Sequence, residues 1–326
     1  MIIKHLFRPI IFLLVVLLLI APAAAQKKAA KKEKPVINEK KAVLWEKVNI
    51  RERDLFYGPG GKQMLPNLKN ITFLKEEKEG HNKKYRIKDG SGRIWVAKLG
   101  REARPETAAV RLLWALGYKT EINYLVPKLT IPGIGTFENV RLEARPENIK
   151  RLDEWKWMDN PFVGTSELQG LKIMMVFMKN WDVLDLQNKV LEVSGRNGKE
   201  YHYIISDLGS TFGKLGNNNI PIIYRLGRST GDPVDYTNSV LVRGVEDGIV
   251  KLSYKGKNRA FFEDITVEDA RWLYGLLSQL SDRQISDAFR AANFSPDEVK
   301  MYTAAVKSKI RELSDLSERD RRLAAK

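Results

Sequence analysis

The sequence predicts an α+β protein of two lobes, a small β-rich one followed by a larger, mainly α-helical one. Three observations predict it: strand-like runs between turn residues from Ile71 to Leu99, a helix-spaced apolar pattern directly after them, and three helical segments between Thr266 and Leu316. At 326 residues and 43% hydrophobic, the chain has the apolar material for a large core. It has no Cys, which excludes disulfide scaffolds, thiol nucleophiles and thiolate metal sites, and its three His (His5, His81, His202) leave little for an imidazole cage.

Residues 1–25 have the three-part layout of a secretory signal: Lys4, His5 and Arg8, then eleven apolar residues from Ile10 to Ile20, then Ala21-Pro22-Ala23-Ala24-Ala25. A membrane span needs about 20 apolar residues. The expectation is therefore cleavage near residue 25 and a mature chain in the periplasm or outside the cell, with a retained N-terminal anchor as the alternative. Cleavage removes Lys4 and Arg8 and no acid, leaving +14 of the net +16. Part of that charge is local, because residues 26–41 hold seven Lys and two Glu and read as a solvated linker. Weak attachment to anionic lipid or wall polymer is the other use such a segment has. Nucleic acid, the usual partner of a basic chain, is not expected of an exported one without a zinc finger, basic zipper or aromatic RNA-binding signature.

Residues 42–70, with the Gly/Pro cluster Leu55 to Lys62, read as an extension packed on the first lobe, which spans 71–150. Within that lobe, Ile71 to Lys75, Lys83 to Lys88 and Arg93 to Leu99 predict a three-stranded meander broken at Glu79–Asn82 and Asp89–Arg93. Pro105 opens a helix whose Ala108, Ala109, Leu112, Leu113 and Leu116 share a face and which Gly117 ends. More strand follows over Leu125 to Val140. In the second lobe, 151–326, Glu167 to Lys179 predicts an apolar helix, and Val190–Val193 with Tyr201–Ile205 a hairpin. The tail, 266–316, divides into helices over Val267–Leu280, Ser281–Ala292 and Ser295–Leu313. The seven Trp and Met174, Met175 and Met178 read as packing residues.

Three clusters fall at strand ends and loops. Lys98 sits in an otherwise apolar strand, where it must reach out to water or meet a charge, and Glu106 at the start of the next helix is a candidate partner. Asn180 to Asn188 contains Asp182, Asp185, Gln187 and Asn188 just past the apolar helix. Asp207-Leu208-Gly209 follows the strand Tyr203-Ile204-Ile205. Phosphoryl transfer requires this inventory: a lysine for phosphates, a carboxylate to fix it, a loop Asp for the acceptor hydroxyl, and oxygen ligands for Mg²⁺.

With these residues the sequence resembles the divergent branch of the protein-kinase-like fold, which includes HipA-like, phosphoinositide-kinase-like and secretory-pathway kinases, over 71 to about 316. The stretches LFYGPGG, VAKLGREARPETAAVRLLWALGY, NPFVGTSELQGLKIMMVFMKNWD and SDLGSTFG are similar to a group of exported bacterial proteins of this type. The resemblance implies ATP and Mg²⁺, with Mn²⁺ an alternative ion, and an unidentified phosphate acceptor. It implies Lys98 and Glu106 for nucleotide binding, Gly80, His81 and Asn82 in a hairpin over the phosphates, Asp182 as the catalytic aspartate, and Asp207 with Asn188 for metal. Departures are the missing GxGxxG and His-Arg-Asp motifs, Leu208 for the family's Phe, and Gln187 where the metal-binding amide usually falls, with Asn188 one later and Asp185 nearby. They keep open a second expectation, a pseudokinase that binds without turnover.

Overall fold

The computed structural model describes residues 36–78, 82–195, 198–215 and 228–324. The expected signal, most of the linker, Gly80 and His81 lie outside the described residues.

The fold is α+β, with a β-rich lobe and a helical lobe. Strands β1 (Ala42–Val43), β2 (Thr72–Glu77), β3 (Lys84–Lys88), β4 (Ile94–Lys98), β5 (Asn123–Ile131) and β6 (Gly135–Ala144) precede or build the first lobe, with helix α1 (Ala103–Ala115) between β4 and β5. Its sheet is antiparallel throughout, in the order β2-β3-β4-β6-β5. The β3–β4 turn is organised by buried Asp89, which accepts from the backbone N–H groups of Ser91 and Arg93 and from Trp95 Nε1 at 2.9 Å. One sheet face buries Tyr85, Ile87, Trp95, Ala97 and Leu142. Period-two alternation sends Lys84, Arg86, Val96, Lys98, Arg141 and Glu143 to the other face, toward α1.

The second lobe contains β7 (Ile149–Arg151), α2 (Ser166–Phe177), β8 (Asn188–Gly195), β9 (Gly198–Ile205), α3 (Pro233–Thr237), β10 (Val242–Glu246), β11 (Ile249–Leu252), α4 (Val267–Leu277), α5 (Asp282–Arg290) and α6 (Pro296–Ala324). It holds more strand than its sequence predicts: a four-stranded sheet β1-β9-β8-β7 and the hairpin β10–β11. Helix α2 is buried nearly all round, which accounts for its unbroken apolar sequence and for Met174 and Met175 in the core, with Met178 just past its end. The tail helices start at reciprocal side-chain and backbone caps, Thr266 with Asp269 and Ser281 with Gln284; Ser295 and Glu298 do the same for α6.

The extension reaches further than its expectation. It packs on the first lobe along its length, where Trp45 Nε1 donates to the Leu116 carbonyl at 2.7 Å, Leu44 O accepts from the Lys119 N–H, and Tyr124 Oη donates to the Gly61 carbonyl at 2.6 Å. Its first half also joins the second lobe: β1 pairs in parallel with β9, Trp45 meets Trp272 edge-on at 5.4 Å, and Gln284 donates to the carbonyls of Ile50 and Arg53. A two-residue strand has too little periodicity to be read locally, and its partner lies far along the chain.

Two buried lysines lie under β10. Lys179, in a left-handed turn after α2, donates to the carbonyls of Val240 and Ser253, and Lys309 of α6 to those of Tyr236 and Ser239. Burial, then the charge of Lys309, pushes the Lys179 ammonium down to about 7, and burial pushes Lys309 down to about 8. Unfolded lysines titrate near ~10.4, so between these values the unfolded chain binds more protons and stability rises with pH. Urea midpoints are expected to climb from pH 6.5 to 8.5, and Lys179→Met to flatten the climb. A flat wild-type profile contradicts this.

Candidate functional site

Lys98 ends β4 and is 2% exposed. A lysine so buried must be paired, and three carboxylates surround its Nζ: Glu106 at 2.9 Å, Asp207 at 3.2 Å and Glu102 at 3.5 Å. Burial works against the ammonium, but Glu106 and then Asp207 outweigh it and hold Lys98 well above the usual lysine range. Glu106, 1% exposed in the first turn of α1, is shared with Arg141 Nε at 3.1 Å; burial pushes its carboxyl above the usual range, with Arg141 and then Lys98 working against that rise. The first lobe thus supplies both the lysine and its anchor, eight residues apart, because α1 folds back across the strand that carries Lys98.

Asp207 comes from the second lobe, just past the end of β9. Burial opposes its charge too, but Lys98 and the Gly209 N–H hold its carboxyl below the usual range. Gly209 approaches α1 so closely that a Cβ there would lie 2.6 Å from the Cβ of Glu102. Thr230 Oγ1 donates to the Gly209 carbonyl at 2.7 Å, and Phe212 anchors the segment in a cluster with Tyr236, Phe289 and Tyr302.

Three backbone hydrogen bonds fasten the Asp182 loop to this segment: Trp181 N–H to Ser210 O at 3.2 Å, Ser206 N–H to Gln187 O at 2.7 Å, and Phe212 N–H to Met178 O at 2.7 Å. Buried Asn180 shapes the loop by accepting from the Asp182 N–H at 3.0 Å. The Asp182 carboxylate accepts from Gln187 Nε2 at Oδ2, 3.0 Å, and pairs with Lys257 at Oδ1, 2.5 Å. Lys257 arrives on a separate loop docked by its own N–H on Trp181 O and by Asn258 Nδ2 on Val183 O.

The expected residues fare differently. Lys98, Glu106 and Asp207 are in contact, and Asp182 lies on the loop fastened beside them. Asn82 donates to Glu102, next to Lys98. Asp185 accepts from the Trp157 N–H at 3.0 Å, a structural tie for the loop. Asn188, expected to bind metal, is fully buried and donates to the Trp155 carbonyl. Gln187 closes the 3₁₀ turn Asp185–Gln187 and Asn188 opens β8, and the amide that reaches Asp182 is that of Gln187. It is thus Gln187 that contacts the Asp182 carboxylate, while Asn188 Oδ1 is buried with no hydrogen-bond partner among the described residues.

Five further residues were not anticipated: Glu102, Arg141, Glu143, Arg151 and Lys257. Glu143 pairs with Arg141 at 2.8 Å, with Arg145, and with Arg151 at 3.3 Å; Arg151 also pairs with Glu121 and donates to Ser206 at 2.6 Å. Arg151 belongs to β7, so this network bolts the second lobe to the sheet of the first. The alternation Arg141-Glu143-Arg145 was a readable signal for charges on one strand face; Lys257 had none.

Among the described residues no group of three or more His, Asp or Glu could hold a metal by protein ligands alone. Mg²⁺ does not require one, since it takes one or two carboxylates and fills its octahedron with phosphate oxygens and water. Asp207, with its side chain 35% exposed, fits that donor set as its carboxylate.

A comparison with solved structures aligns the chain with the crystal structure of a Helicobacter pylori proinflammatory kinase, CtkA, at 12% identity and a TM-score of 0.45, over 75% of this chain and 94% of that one. No protein-family model and no curated protein matches the sequence.

Proposed function

We propose that the chain is an exported kinase-like phosphotransferase that moves a phosphoryl group from ATP to the hydroxyl of an acceptor. The observation that carries this reading is Lys98 held between Glu106 and Asp207, the latter 109 residues away, with the Asp182 loop fastened alongside. Lys98 and Glu106 hold the donor's phosphates. Asp182 orients the acceptor hydroxyl and takes its proton as the hydroxyl oxygen bonds the terminal phosphorus and the bridging P–O bond to the departing diphosphate breaks. Asp207, with the amide of Asn188 or Gln187, would hold Mg²⁺, which when bound would supply charge to the phosphate oxygens. The residue pattern of 1–25 supports export, and the lysines of 26–41 support contact with anionic lipid or wall polymer. No helix of the described residues is long and apolar enough to cross a membrane.

A second reading, a pseudokinase that binds nucleotide without turnover, draws on one observation: Gln187 and Lys257 engage both oxygens of Asp182.

Thermal unfolding with and without ATP and Mg²⁺ or Mn²⁺ tests the site. At a hundredfold excess over Kd, binding adds about 2.7 kcal/mol. The expected result is a metal-dependent rise in Tm that Lys98→Ala and Asp207→Ala abolish. No rise with any nucleotide refutes the proposal.

A further inference from the structure

The cleft face of the first-lobe sheet can be read row by row, because directly opposed residues of an antiparallel pair share a face. One row is Lys84–Lys98–Arg141 and the next Arg86–Val96–Glu143. Across β3, β4 and β6, Val96 is the one apolar side chain in these rows. Like charges directly opposed are unfavourable unless an anion lies between them. Glu106 serves Lys98 and Arg141, while half-buried Lys84 has no ion pair among the described residues.

Recognition of a nucleobase needs apolar surface against its faces and free backbone groups at its edge. In these two rows and at residues 144–146 both are short. Where the sheet leads into the second lobe, the Ala144 N–H is spent on Ile122 O, the Arg145 N–H on Ile94 O, and Pro146 has none. The Ala144 carbonyl accepts from the Arg145 guanidinium at 3.1 Å. Side chains beside that connection are the interlocked Glu143, Arg145 and Arg151. Apolar space does exist nearby, in a cavity of about 230 Å³ whose wall includes Trp114, Tyr118, Ile122 and Leu191, but Lys98, Glu106, Asp182, Gln187 and Asp207 do not line it.

We propose that the cleft recognises its donor through the phosphate chain and ignores the base, so that inorganic triphosphate is bound as well as ATP. This rests on the phosphoryl-transfer reading above and narrows it to a class of donor, the linear polyphosphates, with or without a nucleoside. Lys84 extends the cationic row beyond Lys98 and holds the far end of the chain.

Titration calorimetry on the full chain at fixed free Mg²⁺, with ATP, GTP, inorganic triphosphate and adenosine as probes, tests it. The Kd values of the three phosphates are expected to agree within about threefold, less than 1 kcal/mol, and adenosine to give no heat. Lys84→Ala is expected to weaken all three alike by roughly fivefold, the size of one partly exposed charge pair; it disturbs no ion pair among the described residues, and its melting temperature without ligand checks the fold. ATP binding about tenfold or more tighter than triphosphate, or binding of adenosine alone, overturns the inference and leaves phosphoryl transfer standing. An unchanged triphosphate affinity in Lys84→Ala removes the row as the donor's seat. No binding of any phosphate overturns both.

Discussion

Asp182→Asn is expected to slow release of the terminal phosphate from labelled ATP, to water or acceptor, by about 10²- to 10⁴-fold, the usual contribution of a positioned general base. Nucleotide Kd should stay within about twofold, a difference of ~0.4 kcal/mol, because Asp182 contacts Gln187 and Lys257 and not Lys98 or Glu106. The substitution is nearly isosteric and its carbonyl oxygen can still accept from Gln187, so the loop keeps its shape. What it loses is the charge that takes the proton and faces Lys257. A variant that turns over like the wild type removes Asp182 from the mechanism. A wild type that binds ATP but releases no phosphate, with or without the substitution, favours the pseudokinase reading, in which Lys257 and Gln187 keep the carboxylate engaged.

What the residues revealed of this architecture depended on range. Each strand of the meander is bounded by local turn chemistry, and each tail helix begins at a cap within its own first turn, so both were legible. Lys98 and Glu106 were legible because one is out of place in an apolar strand and the other opens the next helix. The boundary between Gln187 and Asn188 was not: which of them meets Asp182 depends on where the 3₁₀ turn Asp185–Gln187 ends and β8 begins. Arg141 reaches Glu106 only because β6 lies next to β4, an order set by the sheet and not by the chain. Lys257 meets Asp182 across a loop contact 75 residues distant, as Asn258 does Val183. The pairing of β1 with β9 is of the same long-range kind. Local chemistry thus singled out Lys98 and Glu106, while tertiary packing decides which charges surround them.

Glu106→Ala is expected to cost about 3–5 kcal/mol of stability, the penalty for removing one partner of a buried ion pair. Glu106 is 1% exposed and is the carboxylate common to Lys98 and Arg141, themselves 2% and 3% exposed. Without it, two buried cations face each other across neighbouring strands, with Asp207 and Glu102 left to Lys98 and Glu143 left to Arg141. Water has little access to either, so the loss is not screened as it would be at the surface. Glu102→Ala is the control: its side chain is 22% exposed and lies 3.5 Å from Lys98, and removing it should cost less than about 1 kcal/mol. Urea unfolding of both variants measures the difference. Because the buried cations are the source of the penalty, adding Lys98→Met to Glu106→Ala should recover part of it, a non-additivity that a simple cavity would not give. Equal losses in the two single variants would mean that Asp207 alone satisfies Lys98, and that α1 is held to the sheet by its apolar contacts and not by this carboxylate.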